Sequence, residues 1–389
     1  MPGIEYDVII IGAGPAGSSA AQTLATHGLK TCIIDKATFP RDKLCGGLLT
    51  LRSKKIFEEI FKTDLKPAID FVSRGVRFYY KNRFLNSASD YKDIFFVQRR
   101  VFDNLLLDLA CESGVTRYLG VGVKTINFDN SNVTLLDGTT LSGKFIVGAD
   151  GVNSYTARSL FKESFNKENL AYALEVEIPR DEHLENITEP EIYFGVVKWG
   201  YGWVFPKRHS LAVGLAGLYR KNFRIDDNFK NFFTARFGIS APPPKGHYIP
   251  FGNYRRTAGR MNVLLCGDAA GLVEPITGEG ISFAMQSGHF AALSIIEASS
   301  AGKPQRAYEY YQPRYKNITR IFDHANLLRY LIFPKIAESL FIKALPQTES
   351  VPQKHMDLMA GEIDYRRYEL FLLRKVCSAF LKKIFGGKN

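Results

Sequence analysis

Two rhythms of apolar and polar positions run along this chain, and the points where one yields to the other divide it. Residues 6 to 11 form a β-branched apolar run that stops at glycines, as in a strand buried on both faces. "AGSSAAQTLATHG" follows, small residues suited to a closely packed helix ending at Gly28, and "KTCIIDK" resumes as a second strand. That order is a βαβ unit. The rhythm then changes. "VRFYYKNRFLN" alternates and turns at Lys81-Asn82, which predicts an antiparallel hairpin. "RRVFDNLLLDLACESG" is helical, with Phe102, Leu105, Leu106 and Leu109 on one stripe, and "KFIVGADG" is a buried strand ending in glycine.

From about 165 to 253, "EIYFGVVKWGYGWVFPK" and "SLAVGLAGLY" predict a mainly antiparallel sheet. "NVLLCGDAAG" returns to strand, glycine and helix, "GISFAMQSGHFAALSIIEA" makes a long helix, and the chain from about 304 reads as helical. The expected class is α/β. A Rossmann-like nucleotide-binding domain (1–71, 98–164 and 254–303) is interrupted by a mainly antiparallel β-sheet substrate domain, as a hairpin at 72–97 and a sheet at 165–253. A helical region (304–389) closes the chain.

Composition narrows the function. In 389 residues, 46% are hydrophobic and 23% charged, ordinary for a globular chain. No apolar run approaches the ~20 residues of a membrane span, and the N-terminus lacks the form of a signal peptide, so a cytoplasmic location is expected. Five widely spaced cysteines without a CxxC pair argue against a disulfide framework, and the seven histidines never fall at zinc-ligand spacing. The net charge of +12 favours an acidic partner. The basic residues are scattered and no reading module is present, so nucleic acid is not expected.

Gly12, Gly14 and Gly17 form GxGxxG between strand and helix, with Pro15 and Ala16 inside the motif. The first glycine permits the tight turn, the second lets pyrophosphate approach, and the third brings helix to strand. Asp35 closes the second strand 23 residues after Gly12, where a carboxylate would accept hydrogen bonds from an adenosine ribose, and Lys36 follows it. "GADGVNS" with Asp150 and "CGDAAG" with Gly267 and Asp268 each end a buried strand, and they favour FAD over a nicotinamide nucleotide.

These three motifs, in this order, resemble the FAD-dependent oxidoreductases of the p-hydroxybenzoate hydroxylase-like superfamily, over roughly residues 5 to 330. The resemblance implies that Asp268 binds the ribityl chain of the flavin. It also implies that Arg99 in "VQRRVFD" lies against the cofactor, although Arg100 leaves the register open and a solvated charge at a helix start is the alternative. In "EPITGEGISFAMQSG", Pro275, Gly278, Glu279, Gly280 and Ile281 complete the candidate cofactor contacts. The glycines let backbone approach a flat ring, and a helix starting there can stabilise negative charge on reduced flavin, by about 0.3–1 kcal/mol at a surface and ~2 when partly buried.

Two further stretches, "FPRDKLCGG" and "YGWVFPK", together resemble the geranylgeranyl reductase family, whose members saturate double bonds of polyprenyl chains. By that resemblance Cys45 is the catalytic candidate, and Gly46, Gly47, Tyr201, Trp203, Phe205 and Pro206 contact substrate. Cys45 can serve chemistry, substrate contact or packing. Arg41 and Lys43 can bind flavin phosphate or a diphosphate headgroup, or lie in solvent. An isolated alkene is a poor hydride acceptor, so the reaction needs a dry apolar channel and a proton source.

The aromatic strand also resembles, less closely, the Trp-x-Trp-x-Ile-Pro stretch of flavin-dependent halogenases, which keeps an oxygen-using halogenase or monooxygenase as the alternative. A flavin-binding protein without turnover, acting as a sensor or a membrane-bound partner, is the second. "LGVGVK" near Gly120 lacks the third glycine and a following helix, so electrons are expected from transient NAD(P)H or a protein donor. The segment "YRRYELFLLRKVCSAFLKKIF" puts Leu373, Val376, Cys377, Phe380 and Ile384 on one face, and Arg367, Arg374, Lys375 and Lys382 opposite. Such a basic amphipathic helix can lie on an anionic membrane surface or dock on protein.

Overall fold

The computed structural model describes residues 4–181, 184–334, 350–372 and 374–375. Strand β1 (Ile4–Ile11), helix α1 (Pro15–Thr26) and β2 (Thr31–Asp35) form the βαβ unit. Next come β3 (Leu48–Leu49), α2 (Leu51–Phe61), β4 (Ile69–Ser73), the hairpin β5 (Val76–Tyr80) and β6 (Arg83–Ala88), β7 (Ile94–Val97) and α3 (Arg99–Glu112). Four strands, β8 (Thr116–Leu119), β9 (Val123–Asn127), β10 (Asn132–Leu135) and β11 (Thr140–Gly148), precede α4 (Tyr155–Phe161). Then follow β12 (Ala171–Pro179), β13 (Glu191–Phe194), β14 (Gly200–Pro206), β15 (Ser210–Leu218), α5 (Ile225–Phe237) and β16 (Lys245–Ile249). Short β17 (Gly259–Arg260) and β18 (Val263–Leu265) lead to α6 (Ile281–Ser300), α7 (Ala307–Ile332) and α8 (Ser350–Met359).

An eight-stranded sheet has the order β17-β18-β11-β1-β2-β8, with β10 and β9 joined through β11. Its centre, β18-β11-β1-β2-β8, is parallel. Val8 and Ile10 pack towards Ala20 and Leu24 of α1, while Ile9 and Ile11 pack towards Val133 and Leu135. Burial on both faces explains the unbroken apolar run. Helix α1 is small-residued because two backbones touch it. A Cβ on Gly17 would lie 1.8 Å from the Gly12 carbonyl oxygen, and one on Gly288 of α6 would lie 2.0 Å from that of Ala16.

The seven-stranded sheet runs β16-β12-β15-β14-β13-β5-β6 and is antiparallel except where β13 meets β5. One face is covered by Phe229, Phe232 and Phe233 of α5, packed on Leu174, Val204 and Leu215. On the other face Trp203, Phe205, Ala171 and Ala173 meet α7, α8 and the helical residues 365–372. A third sheet has the order β3-β7-β4.

The expected amphipathic tail falls mostly beyond this picture, since Leu373, Val376, Cys377, Phe380, Lys382 and Ile384 lie outside the described residues. At its start, Tyr365, Tyr368 and Leu372 are buried against the sheet, and Arg367 and Arg374 are exposed. No helix among the described residues is long and apolar enough to cross a membrane.

Candidate active site

A cavity of about 1050 Å³ runs from the glycine turn after β1, across the face of the seven-stranded sheet, to α8 and Tyr368. Small-molecule pockets typically span ~300–1,000 Å³, so this one has room for a dinucleotide and a second molecule. Its two ends differ in chemistry, and each is built by different elements.

The first end is polar. Gly12 has φ +105°, and a Cβ there would lie 2.3 Å from the Ala149 carbonyl oxygen. The turn is braced by Asp35, whose carboxylate accepts from Ala13 N–H at 2.8 Å and Ala37 N–H at 2.9 Å. Over the turn lies Arg41, whose Nη2 is 3.7 Å from where a Gly14 Cβ would stand. Its other terminal nitrogen, Nη1, is buried with no hydrogen-bond partner. An orphaned guanidinium donor beside a glycine turn and a helix N-terminus fits a diphosphate. The Asp268 carboxylate lines the cavity beside Gly280, its Oδ1 3.8 Å from where a Gly280 Cβ would stand. Burial pushes it above the ordinary carboxylate range, while Lys43 and Arg99 pull it down. A polar acceptor of this kind fits a polyhydroxyl chain. The donor set therefore suits FAD.

Asp103 organises this end. It is fully buried, holds Arg99 by two bonds of 2.7 and 2.8 Å, and pairs with Arg41 at 3.1 Å. Arg99 rather than Arg100 faces the cavity, and Arg100 is 60% exposed. Of the two arginines, Arg99 is thus the one on the cavity side, its side chain 10% exposed. Lys43 also lines the cavity, and burial, then the Arg99 charge, lower its pKa.

The second end is apolar. Alternation along β14 turns Tyr201, Trp203 and Phe205 to the cavity, with consecutive ring centroids 6.1 Å apart. Phe78, Ile192, Phe251 and Met356 continue the wall. The Cys45 turn is clamped at the junction of the two ends. A Cβ on Gly46 would strike the Phe205 ring at 2.6 Å, and Gly47, with φ +75°, would meet the Val97 carbonyl oxygen at 2.1 Å. The paired glycines let the turn rest on the aromatic strand and on β7. Arg99, Lys43 and Tyr201 line the same cavity as Cys45. The Tyr201 hydroxyl donates to the Thr277 carbonyl, beside Gly278.

Most of the sequence-selected residues meet in this cavity, including Gly12, Gly14, Pro15, Ala16, Lys36, Gly267, Gly278, Gly280 and Ile281. Three do not line it. Gly17 is spent on helix packing, Pro275 lies against Gly252, and Pro206 points to the other face of β14 because its neighbour Phe205 points in. Two carboxylates reach it but are engaged elsewhere. Asp150 accepts from Ser154, from Thr156 N–H at 2.9 Å and from Thr156 Oγ1 at 3.0 Å, holding the start of α4. Glu279 accepts from Thr50 at 2.9 Å, Ser282 at 2.7 Å and Arg52 at 3.2 Å.

Sequence reasoning missed several residues. Asp103 was readable as the i+4 partner of Arg99. "LGVGVK" turns out to line the same cavity, with Gly120 N–H bonded to the Ala37 carbonyl at 3.1 Å. Glu175, His355 and Tyr368 carried no local signal.

A glycine turn with a free arginine donor lies at one end of this cavity and an apolar chamber at the other. The FAD binding domain family matches residues 5–195. The geranylgeranyl diphosphate reductase of Nicotiana tabacum chloroplasts is 30% identical over 85% of this chain and 71% of its own. A menaquinone reductase of Mycobacterium tuberculosis is 30% identical over 74% of this chain and 75% of its own. A geranylgeranyl bacteriochlorophyll reductase-like structure from Thermoplasma acidophilum shares the fold, with a TM-score of 0.73 and 22% identity, covering 99% of this chain and 98% of its own. The protein is an FAD-dependent oxidoreductase of the α/β class. Within that class, the chain belongs to the geranylgeranyl reductase family.

Proposed function

We propose that this enzyme reduces carbon–carbon double bonds of a polyprenyl, geranylgeranyl-type or similarly hydrophobic substrate. The observation that carries the reading is the apolar chamber walled by Tyr201, Trp203 and Phe205, joined at the Cys45 turn to the polar end. Reduced FAD supplies the hydride. The residues of the chain do the rest. Gly12, Gly14 and Arg41 hold the diphosphate, Asp35 the adenosine ribose, and Asp268 the ribityl chain. The N-terminus of α6, at Gly280 and Ile281, offers backbone N–H groups to negative charge at the cavity. The aromatic wall excludes water, and Cys45 touches the reacting segment.

The eight-stranded sheet serves the cofactor and the seven-stranded sheet the substrate, in the alternating segments given above. Electrons arrive from transient NAD(P)H or a protein donor. A substrate of this kind resides in membranes, and the basic C-terminal segment brings the enzyme to an anionic surface, each Lys or Arg contributing ~1 kcal/mol.

The test mixes chemically reduced holoenzyme with a lipid and small-molecule extract, one half free of oxygen and the other aerated, and reads both by mass spectrometry. Hydrogen pairs gained by a prenyl lipid without oxygen support the reading. A product that forms only in air, carrying oxygen or halogen, replaces it with a monooxygenase or halogenase.

A further inference from the structure

Alkene reduction needs a proton for the carbon that does not take the hydride. Glu175 lies in the middle of β12, on the cavity face, and is only 6% exposed. A buried carboxylate is costly unless it is neutral or well partnered. In the sheet register it stands opposite Gly214 of β15, which stands opposite Trp203 of β14. A Cβ on Gly214 would lie 2.3 Å from the indole. That missing side chain lets the indole lie across β15 and donate its Nε1–H to Glu175 Oε2 at 3.0 Å. An indole N–H can only donate, so Oε2 is held as an acceptor and Oε1 is left to carry a proton.

A separate polar cluster stands two residues further along β12. Lys207, 3% exposed, places Nζ 3.3 Å from both Glu177 Oε2 and Gln98 Oε1. Glu177, two residues along β12, also accepts from Gln98 Nε2 at 3.1 Å and from Ser210, and its side chain is 45% exposed. Cys45 lines the same cavity as Glu175.

We propose that Glu175 is the acid that protonates the substrate, an inference that rests on the reductase reading above. The C=C π bond gives way to two C–H bonds. One is formed by a hydride from reduced flavin, which is thereby oxidised. The other takes the proton of the Glu175 O–H, and the carboxylate regains its proton from solvent water. Burial pushes the Glu175 carboxyl up to about 7, with Lys207 and the Trp203 N–H opposing and Glu177 adding to the rise. An ordinary glutamic acid, at ~4.3, would hold almost no proton at neutral pH. The other charged or titratable groups around it are Lys245 and His247 on β16, and Cys45 with Lys43, Arg99 and Tyr201. His247 is pushed down to about 4 by burial and by Lys43, Arg99 and Lys36, so it stays neutral across this range.

The test follows a single oxygen-free turnover of reduced holoenzyme with a geranylgeranyl alcohol in detergent across pH. The wild-type rate is expected to fall as pH rises through about 7, because the donor form is the protonated one. Glu175→Gln, with FAD bound and its visible spectrum intact, should be slower by about 10²–10⁴-fold and lose that falling limb. Glu175→Asp should keep a falling limb. Independently of substrate, infrared difference spectra of the wild-type holoenzyme should show a carboxyl band titrating near 7, absent in Glu175→Gln. A Glu175→Gln enzyme with the wild-type rate and pH profile overturns the proposal. So does a wild-type carboxyl band that titrates only near ~4.3, a result that stands even where a variant fails to fold. If the wild type reduces no alkene at any pH, the reductase reading falls and the proposal with it.

Discussion

Asp103→Asn keeps the shape of the side chain and removes the charge that Arg99 and Arg41 share. The carboxylate is fully buried and makes contacts of 2.7, 2.8 and 3.1 Å, so the change strands two guanidinium groups at the cavity wall. Breaking a buried ion pair from one side costs about 3–5 kcal/mol. A chain of 389 residues has an unfolding entropy of about 0.8 kcal/mol/K, so the melting temperature should fall by ~4–6 °C. FAD should be held more weakly as well, because Arg41 loses the anchor that keeps its guanidinium beside the glycine turn. One charge-assisted hydrogen bond is worth ~1.5–3 kcal/mol, or about ten- to a hundredfold in Kd. Thermal unfolding followed by flavin fluorescence reads the first quantity, and titration of the apoprotein with FAD reads the second. A melting temperature within about one degree of wild type, with an unchanged Kd, would refute the view that Asp103 organises the polar end.

Cys45→Ala and Cys45→Ser should both retain FAD and lose at least about tenfold in alkene reduction; unchanged turnover in both leaves the cysteine as packing. Gly46→Val drives a side chain into the Phe205 ring, so the turn must lift from the aromatic strand. The flavin spectrum should persist while kcat/KM falls by about a hundredfold, and equal kcat/KM in the two enzymes would count against the clamp. Gly288→Leu separates α1 from α6 and should destabilise the fold by ~3 kcal/mol with loss of FAD; wild-type denaturation and FAD content would contradict the close packing described.

The strands and their sheets were readable because burial leaves a local trace. Val8, Ile9 and Ile10 announce a strand covered on both faces, and the alternation of Tyr201, Trp203 and Phe205 announces one with two unlike faces. Gly46 and Gly47 were readable as a close approach, although not what they approach. Contacts set by register were out of reach. Glu175 and Trp203 meet only because β12, β15 and β14 align in one way and Gly214 leaves a gap between them. Glu279 shows the converse, because a motif residue beside the cavity is claimed by Thr50 and Arg52, more than 200 positions away. The wall formed by Tyr365 and Tyr368 was hidden for the same reason, since an amphipathic pattern names a buried face without naming its partner.

The backbone interlock of α1 with α6 also sets a timetable for biosynthesis. Gly17 and Gly288 are about 270 residues apart, and a ribosome adds ~5–20 residues each second. The N-terminal βαβ unit therefore leaves the ribosome with its small-residue helix face bare, and waits roughly 15–60 seconds for the surface that covers it. Asp268 and Gly280, which line the cavity, arrive with the same late segment. Transiently bare apolar surface of this kind favours aggregation, so truncation before α6 is expected to give an aggregation-prone fragment.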